Sequence, residues 1–350
     1  MFQPDYRNLE ACARNQRPAR IPLYEHNINA GVMERITGEK FVESYFQESP
    51  DYEAFFRRYN AFFRDFGYDT VTFEACVNEI LPMGGALGGS RPGCIDGREA
   101  FERYPFDRVP KIYIDWFKPK LDALRRTMPD GMLAVGGVGN GVFEVVQDLV
   151  GYQNLCILFY DDPELCRELF ARAGDMLVSI WQWFLAEYSD LYCVCRFGDD
   201  LGFRSSTLLA PDVIREYILP VYKRIVALVH EAGKPFLLHS CGCIFSVMED
   251  LIEDVGIDAK HSNEDQIAPM REWVERYGDR IGNFGGIDTD HLVRMEDSEL
   301  ARTVTEVYRL AEAKNGGFAI GSGNSIPEYI CDEKYLLMIN TVRALRGDKV

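Results

Sequence analysis

Ten residues, Lys234-Pro-Phe-Leu-Leu-His239-Ser-Cys241-Gly-Cys243, carry the densest chemistry in the chain. A short apolar run ends in a histidine, a small polar residue, a thiol, a glycine and a second thiol. Side chains alternate faces along a strand, so His239 and Cys241 point one way and Leu238 and Ser240 the other. An imidazole and a thiolate together at a strand end are half of a zinc site. The competing reading is a buried histidine beside ordinary core cysteines.

Around this stretch, short β-rich runs alternate with amphipathic segments. The runs are Ile21–Glu25, Asp69–Glu74, Met132–Gly136, Leu191–Phe197, Lys234–His239, Ile257–His261, Arg280–Gly285 and Gly317–Gly321. Helical patterns cover Tyr6–Asn15, Tyr52–Phe66, Ile114–Met128, Pro163–Tyr188, Pro211–Ala232, Ala268–Tyr277, Ser298–Asn315 and Asp332–Arg346. Eight strands alternating with helices imply a parallel sheet, and eight is the number that closes a (β/α)8 barrel. An open doubly wound sheet is disfavoured because Gly136-Gly-Val-Gly-Asn-Gly141 is too tightly bunched for a dinucleotide fingerprint. The expectation is a single α/β TIM-type barrel over residues 1–350, with an N-terminal helical extension. A long Gly- and Pro-rich loop after the second strand (Ile80–Asp107) has the length of a lid.

The composition narrows the function classes. Among 350 residues, 55 are acidic and 38 basic, for a formal charge of −17, which argues against a nucleic-acid footprint and against adsorption to anionic membrane. No run of about 18 apolar residues is present to span a bilayer, and the N-terminus lacks the pattern of a signal peptide. A cytoplasmic location is expected, with the ten cysteines as thiols. Cys76, Cys156 and Cys166, in apolar surroundings, read as core residues.

In such barrels the reactive groups sit at the C-terminal strand ends. Read in order, those ends offer Glu25 to Asn27, Glu74, Asn140 with Glu144, Asp199 with Asp200, the His239–Cys243 run, Lys260 to Asp265, Asp288 and Asn324. Glu25, Asp199, His239 and Cys241 are the catalytic candidates. Asn27, Glu74, Asn140, Asp200, Asp288 and Asn324 are the candidates for holding substrate. Bland roles compete: Asp199 and Asp200 as loop caps, Glu264 as part of a helix N-cap, Asn324 as a turn residue. Lys260 and His261 alternate, so at most one of them faces the barrel axis.

The string His239-Ser-Cys241-Gly242, with Asp250-Leu-Ile-Glu-Asp-Val-Gly-Ile-Asp258, Tyr277-Gly-Asp-Arg-Ile281 and Gly285-Gly-Ile-Asp288, resembles the uroporphyrinogen decarboxylase superfamily. The likeness is nearer to its corrinoid-dependent methyltransferase branch, and runs from about Arg20 to the Gly321–Pro327 loop. It implies the same barrel. The decarboxylases carry an arginine-rich motif near the N-terminus for their polycarboxylate substrate. Here the corresponding segment is Tyr24-Glu25-His26-Asn27-Ile28-Asn29, and an acidic mouth repels an anionic porphyrinogen.

The resemblance therefore implies methyl transfer between a small molecule and a corrinoid on a partner protein, the small molecule being a thiol, tetrahydrofolate or a methylated substrate. Zinc is implied on His239 and Cys241, with a cysteine after the last strand as third ligand in thiol-specific relatives. That cysteine is missing from Gly321-Ser-Gly-Asn-Ser-Ile-Pro327, which leaves Glu264, Cys331, Cys243 and Glu25 as candidates. Asp199 or Glu25 would supply a proton or anchor a cation; with tetrahydrofolate, Asn and Asp side chains would hold the pterin and zinc would be dispensable. The alternatives are a decarboxylase centred on Asp199 and a non-catalytic barrel that binds tetrapyrrole or corrinoid.

Overall fold

The computed structural model describes residues 2–348. Seven parallel strands follow one another around the sheet in chain order: β1 (Val71–Cys76), β2 (Ala134–Gly139), β3 (Tyr192–Gly198), β4 (Phe236–His239), β5 (Ala259–His261), β6 (Gly282–Ile287) and β7 (Phe318–Ser322). The expected first strand, Ile21–Glu25, takes the eighth place but not as a regular strand. Only Leu23 bridges to Ile320 of β7. Tyr24 donates to the Ile320 carbonyl at 2.9 Å, and Ile320 to that of Pro22 at 3.0 Å. Pro22 has no N–H to extend the ladder, and towards β1 the Thr72 hydroxyl reaches the Glu25 carbonyl at 2.8 Å. The barrel expectation stands, with seven strands and one bridged segment closing the curl.

The lumen is solid. Leu9, Cys12 and Ala13 of the N-terminal helix Arg7–Ala13 plug its floor, packed with Tyr24, Val135, Val194, Leu237, Phe284 and Ala319. The plug sits so close that a Cβ on Gly317 would lie 2.0 Å from the Cys12 carbonyl oxygen, and one on Gly282 would lie 2.2 Å from it. Glycine is required there by contact. A filled floor leaves only the opposite, C-terminal end of the strands open to chemistry.

Outside, the helices follow their patterns. In Tyr52–Asp65 the buried Phe55, Phe56, Tyr59, Phe62 and Phe63 form one stripe, and Asp51 caps the start by accepting from the Ala54 N–H at 2.9 Å, worth about 1 kcal/mol. The expected helix Pro211–Ala232 is interrupted: a π turn over Ile214–Ile218 separates Pro211–Val213 from Leu219–Glu231. Pro220 is the cause, since it lacks the N–H an α-turn needs there.

The segment expected as a lid is tied down instead. Gly85 and Leu87 donate their N–H groups to the Asp148 carboxylate at 3.0 and 2.9 Å, and Ile95 donates to the Leu149 carbonyl at 2.9 Å. Asp148 and Leu149 belong to helix Val142–Val150, which the sequence pattern does not flag because a glycine run precedes it. Among the described residues no single helix is long and apolar enough to cross a membrane.

Candidate active site

His239 closes β4 at the mouth of the barrel and is 5% exposed. Its Nδ1 lies 2.7 Å from Nδ1 of His261, and His261 Nε2 lies 3.1 Å from the carbonyl oxygen of Ser322. The hydrogen-bond network assigns the tautomers. A carbonyl only accepts, so His261 carries its proton on Nε2. Burial holds His261 neutral, its pKa down to about 3, so its Nδ1 is an acceptor. His239 must then be the donor through Nδ1, and burial, with His261 and Arg196 nearby, holds it neutral as well. The Nε2 of His239 is therefore an acceptor. It faces Sγ of Cys241 at 3.5 Å and Oδ1 of Asp200 at 3.9 Å.

Hydrogen-bond donors surround the Cys241 sulfur: Nδ2 of Asn324 at 3.3 Å and Oγ of Ser262 at 3.5 Å. The Cys241 N–H donates to Oδ1 of Asp200 at 2.9 Å, fixing that carboxylate beside the thiol. Burial and the Asp200 charge raise the thiol pKa. Donors aimed at a sulfur favour its thiolate, and a bound cation would remove the cost of forming it.

Two groups of donors converge among the described residues: Asp200 with His239 and Cys241, and His26 with His239 and His261. His26 stacks on His239 with centroids 3.7 Å apart. In the triple-histidine group both nitrogens of His261 are engaged, as is Nδ1 of His239. In the carboxylate–imidazole–thiol group His239 Nε2 and the Cys241 sulfur already face each other beside the Asp200 carboxylate, an arrangement that fits a three-ligand zinc with an open fourth position.

The third donor of that group is Asp200, a residue the sequence reading assigns to substrate. Neither Glu264 nor Cys331 joins a converging group. Cys331 is exposed and its thiol donates to Glu333 at 2.7 Å. Glu264 lines an adjoining polar cavity of about 360 Å³ with Asp288 and Asn324. Cys243, next in the chain after Gly242, is also outside both groups.

The other candidates divide by their partners. Asp199, expected as an acid at the axis, is fully buried and accepts from the N–H groups of Phe143 (2.9 Å) and Glu144 (2.7 Å) and from the Tyr222 hydroxyl (2.6 Å). It caps helix Val142–Val150; burial pushes its pKa up to about 7 against those bonds. Glu25 is likewise buried and turned to Ser322, whose N–H donates to it at 3.1 Å; burial pushes its pKa up to about 8. Asn140 sits at a left-handed φ of 66° and bonds Glu144 at 2.8 Å, a turn role. Asp288 caps the next helix, accepting from Asp290 at 2.8 Å and from Asp265 at 2.7 Å. His261 takes the axis position, and Lys260 points to the other face over the Trp273 ring, 3.9 Å from its centroid.

Arg196 escapes the sequence reading. It is 1% exposed and binds Glu74 at 3.1 and 3.3 Å and the His26 carbonyl at 3.1 Å. A lone arginine inside the apolar run Cys193-Val-Cys-Arg-Phe197 was its available signal. Arg196, Glu74, His26 and Asn27 line a second cavity, of about 460 Å³.

The profile of the uroporphyrinogen decarboxylase (URO-D) family matches residues 97–345. A methylated-thiol–coenzyme M methyltransferase of Methanosarcina mazei is 28% identical over 143 residues, which span 39% of this chain and only 35% of that protein. A solved methyltransferase structure from Methanosarcina mazei superposes with a TM-score of 0.70 over 99% of both chains at 15% identity, a likeness of fold. With the barrel and its histidine–cysteine mouth, the family match is decisive: the chain belongs to the uroporphyrinogen decarboxylase family.

Proposed function

We propose that the protein is a methyltransferase acting as one barrel domain, with zinc on Asp200, His239 and Cys241, and that it exchanges a methyl group between a small molecule and a corrinoid carried by a partner protein. The observation that carries this is the Cys241 sulfur, set between two side-chain donors and an imidazole lone pair aimed at it by a fixed tautomer. The methyltransferase name of the sequence relative supports the reaction class. Zinc supplies a Lewis acid that activates the heteroatom losing or receiving the methyl group.

The chain's own residues do the rest. His261 donates to Ser322 and accepts from His239, so the ligand imidazole cannot rotate or change tautomer. Asn324 and Ser262 stabilise negative charge on Cys241. Asp200, partly exposed, adds a carboxylate that offsets the metal's charge and is steadied by the Cys241 N–H. Arg196, a cation near this mouth, is already committed to Glu74 and so is not available to a carboxylate substrate.

The test combines metal analysis with an assay of methylcobalamin formation and demethylation, using thiols, tetrahydrofolate and methylated donors. Wild type should retain about one zinc per chain and turn over one of these pairs. Full zinc content and full activity in the His239→Ala, Cys241→Ala double variant would reject the proposal, as would carbon dioxide release from a carboxylated tetrapyrrole without methyl transfer.

A further inference from the structure

His239-Ser240-Cys241 carries two residues of the proposed metal group and, between them, one that the proposed function leaves unused. Ser240 is fully buried, and strand alternation sets it on the face opposite the two ligands. Its partner lies on the neighbouring loop, Asp199–Phe203, which leaves the end of β3.

Gly198 and His239 are the last paired residues of β3 and β4. Past them the Asp199 N–H donates to the His239 carbonyl at 3.0 Å. The next backbone bond in that direction comes from Gly202, to the Cys241 carbonyl at 3.1 Å. A regular parallel ladder advances two residues on each strand between such bonds. From Asp199 to Gly202 the chain has advanced one residue more than from His239 to Cys241, which is a bulge over Asp200 and Leu201. A bulge re-aims a side chain. The side chain re-aimed here is the carboxylate of the metal group.

At the slip, side-chain oxygens of the two loops take the place of ladder carbonyls, and they do so reciprocally. Asp200 Oδ1 accepts from the Cys241 N–H at 2.9 Å, and Ser240 Oγ accepts from the Leu201 N–H at 3.2 Å. The Asp200 N–H goes to Oε1 of Glu144 at 3.3 Å. Beyond the bulge the loops stay paired, Cys243 donating to the Phe203 carbonyl at 2.7 Å. Leu201 is fully buried, so its N–H has no water to turn to if the serine oxygen is removed.

We infer that Ser240 is a positioning residue: its hydroxyl oxygen holds the bulge that turns the Asp200 carboxylate onto His239 and Cys241. The inference rests on the proposed function only in naming Asp200 a metal ligand; the hold of Ser240 on the bulge does not need it. The competing role is local, a serine that satisfies one buried N–H and nothing else.

Two measurements on the full chain separate these roles, in Ser240→Ala, Asp200→Ala and the double variant. Ser240→Ala removes one oxygen at nearly constant volume, which spares the packing. Amide hydrogen exchange, followed without metal, should quicken about tenfold in Ser240→Ala at Asp200 and Gly202, whose own acceptors are untouched, as well as at Leu201. Zinc affinity, by competition with a chelator, should fall about tenfold in Ser240→Ala and more steeply in Asp200→Ala. The double variant should bind zinc as Asp200→Ala does, because the serine acts through the aspartate. Faster exchange confined to Leu201, or losses of affinity that add in the double variant, overturns the inference. Unchanged zinc in Asp200→Ala, with all three amides faster in Ser240→Ala, counts against the ligand set of the proposed function alone. Weakened zinc in Asp200→Ala with unchanged zinc in Ser240→Ala counts against this inference alone.

Discussion

Two cysteines of this barrel, one fully buried and one partly exposed, are opposite in character. Cys12 lies in the plug at the floor and Cys241 at the mouth, and burial raises the pKa of both, that of Cys12 to about 12. Both ends depend on carbonyls of β7. At the floor the Cys12 thiol donates to the Phe318 carbonyl at 3.2 Å, which keeps its proton in use. At the mouth the Ser322 carbonyl receives His261, which sets His239, which turns a lone pair on Cys241. The difference is what reaches the sulfur: Cys241 also receives two side-chain donors, from Asn324 and Ser262. A sulfur that gives a proton to a carbonyl is core; a sulfur that receives donors and faces a lone pair is equipped to hold a metal.

The largest effect should separate the two outright. Cys241→Ala is expected to lose bound zinc and at least about a thousandfold in methyl transfer, whereas Cys12→Ala should keep both and cost about 1 kcal/mol in denaturant unfolding. Zinc retained by Cys241→Ala would erase the contrast. Next comes the relay: His261→Ala should weaken zinc about 10- to 100-fold by competition with a chelator, without removing a ligand atom. A full loss, matching His239→Ala, would make His261 a ligand and favour the triple-histidine group. Asn324→Ala removes one donor from the sulfur and should cost about five- to tenfold in zinc affinity.

The smallest effect lies behind Ser322. Glu25 has a folded pKa raised to about 8 from an ordinary 4.5, so the native state holds its proton more tightly than the unfolded chain. The stability it contributes is complete below about pH 4.5 and is lost as pH rises towards 8. Glu25→Gln should flatten that slope and raise the melting temperature at pH 8 by about 2–5 °C. An unchanged pH profile would show that Glu25 titrates normally.

The barrel was legible because each strand and helix declares itself locally: seven expected strands overlap observed ones, and Pro163–Tyr188 is matched at both ends. Local signals failed at prolines, Pro22 at the seam and Pro220 just after the π turn, and at the glycine run before helix Val142–Val150. The pairing of His239 with Cys241 followed from strand alternation. Their companions did not, because the partners come from other strands. Asp200 is recruited by the Cys241 N–H, and the choice of Asp199 as cap and Asp200 as mouth residue depends on where helix Val142–Val150 begins. Two adjacent aspartates look interchangeable in a sequence, and a helix terminus distinguishes them.

The seam between Ile21–Glu25 and β7 has a consequence for the order in which the protein is made. Leu23 meets Ile320, and Glu25 meets Ser322, across nearly the whole chain. During synthesis the ribosome must deliver β7 before either contact forms, and with Ser322 comes the carbonyl that assigns the histidine tautomers. Cys241 and His239 emerge much earlier, yet their lone pairs are undirected until the ring closes. Joining the last strand to the first segment therefore closes the ring and orders the site in one event, and a nascent chain released short of β7 has most of a barrel without the carbonyl that orients its histidines.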